Sequence, residues 1–265
     1  MSTLRPALLL ALVLSLVACS RSATVDIANN DVDALVQAIR EANERPGHTT
    51  IRLARRGLYV LRDEVAAGLL LPTVRDRLTV EGNYAEIRGY SPRPASLLEV
   101  AEGAVLHVQD LVLAEGTDGA VRNYGELALR NVSVVDSSVR HASSILLNHG
   151  RLTARDSEIA YNLMFATRRD SGTVLNYGEM DLQGTRVHGN RAVGPHAEVA
   201  VAGGILNFGR LHARSLALED NSAPGEDLSS LHFGGVLNLG NGRVDGDADS
   251  ANVRDGRPAA LFAGM

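Results

Sequence analysis

One 19-residue phrase occurs five times between residues 119 and 252, and that recurrence restricts the fold more than any other feature of the chain. The phrases start at Gly119, Ser144, Gly172, Gly203 and Gly234. Their fifth position is always Asn: Asn123, Asn148, Asn176, Asn207 and Asn238. Their seventh is always Gly: Gly125, Gly150, Gly178, Gly209 and Gly240. The last position reads Ser137, Asn162, Asn190, Asn221 and Asn252. Spacers of 6, 9, 12 and 12 residues separate the phrases, so the unit is constant and only one edge varies. A constant unit with variable inserts on one side is the pattern of a solenoid.

Within the phrase, hydrophobicity alternates with the period of a strand. The third position is apolar in every copy (Val121, Leu146, Val174, Ile205, Val236). After the Gly comes an alternating pair: Leu127/Leu129, Leu152/Ala154, Met180/Leu182 and Leu211/Ala213. A polar corner at Asn131, Asp156, Gly184 or Ser215 then precedes Val134, Ile159, Val187 or Leu218. Strand, corner, strand, corner, strand describes one coil of an all-β, single-stranded parallel β-helix. Equivalent side chains then stack about 4.8 Å apart along its axis. The Asn column is expected to form a structural hydrogen-bonded ladder, at a corner whose left-handed backbone suits Asn and Gly. An outward column alternates in sign, Glu126, Arg151, Glu179, Arg210, the favourable cross-strand arrangement.

These phrases resemble a known family. GGIL at 203–206 and GGVL at 234–237 match the GG-apolar-apolar repeat of polymorphic outer-membrane proteins. IAYN (159–162), VHGN (187–190) and LEDN (218–221) are similar to that family's FxxN, with an aliphatic residue in place of Phe. More broadly, residues 24–252 resemble right-handed, pectin-lyase-like β-helix proteins of bacterial surfaces. The resemblance implies a right-handed coil, as does the general preference of parallel crossovers. Residues 253–265 hold no run of alternating membrane-facing strands, so no self-translocating barrel is expected there.

The remaining chain divides by composition. Residues 1–18 have a basic start at Arg5 and an apolar run, Ala7–Val17, short for a membrane span, so they read as a signal peptide. That run ends Leu16-Val17-Ala18-Cys19, which resembles a bacterial lipobox, and Cys19 is the one cysteine of the chain. Lipidation at Cys19 is the expectation; Ser20 rather than Asp after it points to the outer membrane by resemblance to proteobacterial lipoproteins. A lone cysteine also excludes an intrachain disulfide. Residues 19–29 form an anchor, short linker and first strand (Thr24–Ala28). A capping helix is expected over 30–45, with Asn30 as N-cap and Val32, Leu35, Val36, Ile39 and Ala42 on its apolar face. The β-helix occupies 46–252, with Val65–Pro72 as an excursion on the lateral face and 253–265 as a tail or cap.

Three places are candidate sites. The first is an outward stripe, Leu147, Leu175, Leu206 and Leu237 beside Tyr124, His149, Tyr177, Phe208 and Leu239; it is either an exposed partner face or is covered by the 12-residue spacers. The second is a basic column, Arg130, Arg155 and Arg214, interrupted by Gln183 and suited to acidic glycan. The third is the acid–base group Glu158, Arg186, His188 and Glu219, in which adjacent coils are expected to pair Glu158 with Arg186 and His188 with Glu219. Asp136 and Asp220 share a column about 14 Å apart, beyond glycosidase carboxylate spacing. No cofactor, metal, P-loop or GxSxG motif is present. A net charge of −5 disfavours nucleic acid as a partner. The sequence therefore points to a lipid-anchored envelope protein, with the membrane as one partner and a glycan or envelope protein as another. It binds through the lateral face and loops 163–171, 191–202 and 222–233, among them Arg168, Arg169, Asp170, His196, Glu198, Glu226 and Asp227. One alternative is a polysaccharide lyase, hydrolase or epimerase using the Glu158, Arg186, His188 and Glu219 group; another is a purely structural envelope component with no specific ligand.

Overall fold

The computed structural model describes residues 22–45, 47–141, 144–165, 170–193, 201–223, 232–238, 241–245, 253–254 and 257–258. The strand Ala23–Ile27 opens the first coil and pairs in parallel with His48–Leu53. The helix Val32–Glu44 connects the two. Its N-cap is Asp31, whose Oδ1 accepts from the Ala34 N–H at 3.0 Å. The predicted cap Asn30 lies one residue earlier at φ 63°, turning the chain into the helix. Leu35, Val36, Ala38, Ile39 and Ala42 are buried against the first coils, while Val32 is only half-buried. The helix thus covers the apolar end of the first described coils. Tyr59 is buried beside it; its hydroxyl donates to Ile27 O and accepts from the Ala54 N–H, both at 3.0 Å. Burial pushes that phenol above its ordinary pKa.

From there the chain winds into a parallel β-solenoid of about seven turns. One sheet runs in the order Ala23–Ile27, His48–Leu53, Arg77–Gly89, Val105–Ala114, Glu126–Val135, Arg151–Arg155, Glu179–Gln183, Arg210–Arg214, Asn241–Asp245. A second holds Leu98–Val100, Val121–Asn123, Ser144–Asn148, Ser171–Asn176, Val201–Asn207 and Val236–Asn238. Equivalent repeat positions are register partners: Val121, Leu146, Val174, Ile205 and Val236 form one line. Leu127, Leu152, Met180 and Leu211 form another, and Val134, Ile159, Val187 and Leu218 a third. All of these are buried, so the period-2 pattern does mark the inward face.

Two lateral segments differ from the sequence expectation. Leu163–Phe165 and Arg191–Val193 are strands of a third sheet, in which Leu163–Phe165 lies between Ser138–Val139 and Arg191–Val193, so the spacers begin as solenoid wall. Val65–Pro72, expected as a loop packed on the lateral face, packs more deeply than that. Leu69, Leu70 and Leu71 are buried, and the Leu70 N–H donates to Ser96 O at 2.9 Å, so this segment walls an early coil. Cys19, Arg168, Arg169, His196, Glu198, Glu226, Asp227, Leu239, Gly240 and Asn252 lie outside the described residues, as does most of 253–265.

The corners also separate two roles that the sequence merged. Left-handed backbone occurs at Asp110, Asn131, Asp156, Gly184 and Ser215, and again at Glu115, Asp136, Tyr161, Gly189 and Asp220. The described ladder asparagines and the Gly125, Gly150, Gly178, Gly209 column are not left-handed. Those glycines are needed because a Cβ would collide with backbone of the preceding coil. The asparagines close the strand ends instead: Asn123 Nδ2 donates to Asn148 Oδ1 (2.7 Å), Asn148 to Asn176 (2.6 Å) and Asn176 to Asn207 (2.6 Å). Asn238 continues the backbone register. A second ladder joins Asn162, Asn190 and Asn221 at 2.9 and 2.8 Å. The first ladder begins at Asn123 because its partner on the preceding coil is Val100, which has no donor, and Asn123 Oδ1 is buried without one. Asn148→Ala removes a donor and an acceptor from the middle of a fully buried row. It is expected to cost about 2–3 kcal/mol in urea denaturation, mostly from the unpaired groups left on its neighbours.

Candidate functional site

Because coils stack in register, each outward position becomes a column of side chains at strand spacing, and four such columns carry the candidate chemistry. At the corner just before the glycines, Tyr124, His149, Tyr177 and Phe208 stack face to face over four coils. Successive ring centroids are 5.4, 4.8 and 5.2 Å apart, with interplanar angles of 11°, 12° and 7°. The glycines allow the coils to come close enough for this contact. Tyr124 is 39% and Tyr177 40% exposed, so the column is half-open to solvent while its ring faces meet one another. Desolvation raises the Tyr177 phenol's pKa, with the negative charge of Asp170 second, so it stays a neutral donor at neutral pH.

The leucine stripe beside this column is not a free surface. Leu175 and Leu206 are 0% exposed and Leu237 3%, and they form a separate apolar cluster with Ala202. Leu147 and Phe208 are partly buried against it. Leu175, Leu206 and Leu237 are therefore not part of an exposed face, and the exposed part of this region is the aromatic column.

On the adjacent sheet the alternating column forms ion pairs from Glu179 to Arg151 and to Arg210, all three well exposed. Such pairs contribute little stability, about 0–1 kcal/mol each, and keep the register. Four residues along each strand, Arg130, Arg155, Gln183 and Arg214 form the basic column, in register as the sequence implied.

Glu158, Arg186, His188 and Glu219 come together on the short strands Glu158–Ala160, Arg186–His188 and Ala217–Glu219. Backbone register matches Glu158 with Arg186 and His188 with Glu219, but the side chains pair along the diagonal. His188 Nε2 lies 2.7 Å from Glu158 Oε1, and Arg186 bonds Glu219 at 3.3 Å. The expected lateral pairs are thus corrected. Side chains lean along the strand, and the diagonal neighbour comes within reach of long side chains. Ser133 also donates to Glu158 Oε2 (3.3 Å), and Tyr161 packs edge-on to His188 with centroids 5.1 Å apart. Sequence reasoning missed Tyr161; its position, just before the repeat-final Asn and at a left-handed corner, was the available signal. A neighbouring cleft of about 620 Å³, also missed, is lined by Arg62, Tyr90, Glu115, Thr117, Asp136 and Ser138. Among the described residues no group of three or more His, Cys, Asp or Glu could hold a metal ion, and no helix is long and apolar enough to cross a membrane.

No protein-family model, no curated protein and no solved structure matches this chain. The class that fold and geometry define is a parallel β-solenoid with in-register aromatic, basic and acid–base columns on its lateral surface.

Proposed function

We propose that this chain is an envelope-anchored lipoprotein whose β-helix is a non-catalytic binding module for a glycan or envelope protein. In this reading it is a right-handed, pectin-lyase-like helix with repeats of the polymorphic outer-membrane type, tethered to the outer membrane through lipidated Cys19. The observation that carries the binding function is the aromatic column. Four stacked rings give a rigid strip with half-exposed tyrosines, and aromatic anchors of low conformational entropy are favoured at interfaces. Tyr177→Ala is expected to weaken binding to purified envelope glycans or proteins about tenfold while leaving the circular dichroism spectrum unchanged. Parent-like affinity in that variant sinks the proposal.

Cys19 is expected to appear as an acylated mature N-terminus in mass spectrometry; an unmodified cysteine, or a start elsewhere, removes the anchor. The rival reading is a polysaccharide-active enzyme, favoured by the 2.7 Å contact of His188 with Glu158. If acidic polysaccharide is turned over, and His188→Ala or Glu219→Ala abolishes turnover, the enzyme reading replaces the binding one.

A further inference from the structure

The sheet face contradicts its own charge rule at one place. Where Glu179 joins Arg151 and Arg210, opposite charges alternate from coil to coil. In the parallel column, Arg130 and Arg155 are direct register partners. Their Cα atoms are then about 4.8 Å apart, and like charges directly opposite are destabilising. The residues flanking them in the column, Gln109 and Gln183, are neutral. Arg130 donates to Gln109 Oε1 at 2.6 Å, and among the described residues neither guanidinium forms an ion pair.

Beside the two arginines the surface dips. A depression of about 270 Å³ is lined by His107, Gln109, Ala128, Arg130, Thr153 and Arg155, with no carboxylate among them. Its origin is local. His107, Ala128 and Thr153 are successive register partners on the outward face, and Ala128 is the small one, leaving a gap between an imidazole and a hydroxyl. Arg130 and Arg155 line the same depression. Hydrogen-bonding groups from three coils therefore surround one space.

We infer that this depression binds a tetrahedral oxyanion of the phosphate class, held between Arg130 and Arg155, with His107 and Thr153 as further donors. A negative charge there converts the Arg130–Arg155 repulsion into two charge-assisted contacts. Groups on both sides of the depression suit an anion with acceptor oxygens in several directions better than a planar carboxylate, which one Arg fork satisfies. The site is separate from the aromatic column and does not depend on the function proposed for it. The same chemistry is offered by free phosphate and by a phospholipid headgroup.

Titration of the purified full chain with inorganic phosphate in a low-salt buffer tests this by calorimetry. Saturable one-site binding is expected, at least tenfold weaker in Arg130→Gln and in Arg155→Gln and within twofold of the parent in Arg214→Gln. Ala128→Asp, which fills the gap with a negative charge, should abolish binding while keeping a parent-like circular dichroism spectrum; it serves if an arginine variant does not fold. Displacement of phosphate by phosphatidylglycerol vesicles but not by phosphatidylcholine vesicles assigns the site to headgroups, and displacement by neither assigns it to the free anion. The inference is overturned by an absence of saturable phosphate binding, by an equal loss in Arg214→Gln, or by at least tenfold tighter binding of a hexuronate oligosaccharide.

Discussion

Gly178→Ala is expected to destabilise the solenoid by about 3–5 kcal/mol, although it adds a single methyl group. A Cβ on Gly178 would overlap the carbonyl oxygen of Gly150 and stand 2.6 Å and 2.7 Å from the carbonyl oxygen and carbon of His149. Those atoms are backbone, so no rotamer change relieves the overlap and the two coils must separate. Separation breaks the Tyr177 N–H to Asn148 O and Glu179 N–H to Gly150 O hydrogen bonds, 2.8 and 2.9 Å long. It also pulls Tyr177 off His149. Gly103→Ala is the control: it has φ +78° and nothing within 4 Å of its Cβ position, so it should cost only the left-handed strain of about 1–2 kcal/mol. Urea denaturation of both variants measures the difference. If Gly103→Ala is the more damaging, the repeat glycines are conformational rather than steric.

Ile205→Asp should prevent folding, or cost about 5 kcal/mol where folding survives. Ile205 is fully buried and lies between register partners Val174 and Val236. A carboxylate at that point enters a dry interior with no cation to pair, or must be protonated to enter at all. Because each coil packs on its neighbours, the disruption should extend beyond one turn. A parent-like thermal melt of this variant would mean that the third position of the repeat faces solvent.

The inward columns, the outward columns and the capping helix were legible because each depends on periodicity and local chemistry. Val121 through Val236 repeat at one position of the phrase, and parallel stacking turns that repetition into contact. What the sequence left open depends on distances between coils. The same letter, Gly, marks a left-handed corner at Gly184 and a close backbone approach at Gly178, and only the packing separates them. The diagonal choice of His188 for Glu158 follows from side-chain direction, which register alone does not supply. Likewise, Leu175 and Leu206 occupy outward positions of their phrases yet are buried in a second cluster, a tertiary effect that no strand pattern encodes. The oxyanion site had a partial signature, Arg130 above Arg155; its depression required knowing that Ala128 lies in register with His107 and Thr153.

In-register stacking of coils underlies every column described, and disulfide trapping tests it most directly. In a Cys19→Ser background, cysteines at Thr153 and Asp181 occupy register partners on adjacent coils. Their Cα separation of about 4.8 Å is within reach of a disulfide. Cysteines at Thr153 and Gln183, shifted by two residues, lie about 8 Å apart, beyond that reach. Oxidation should trap the 153/181 pair within a single chain and leave the 153/183 pair as free thiols. Equal or preferential trapping of 153/183 would contradict the register, and with it the aromatic, basic and acid–base columns.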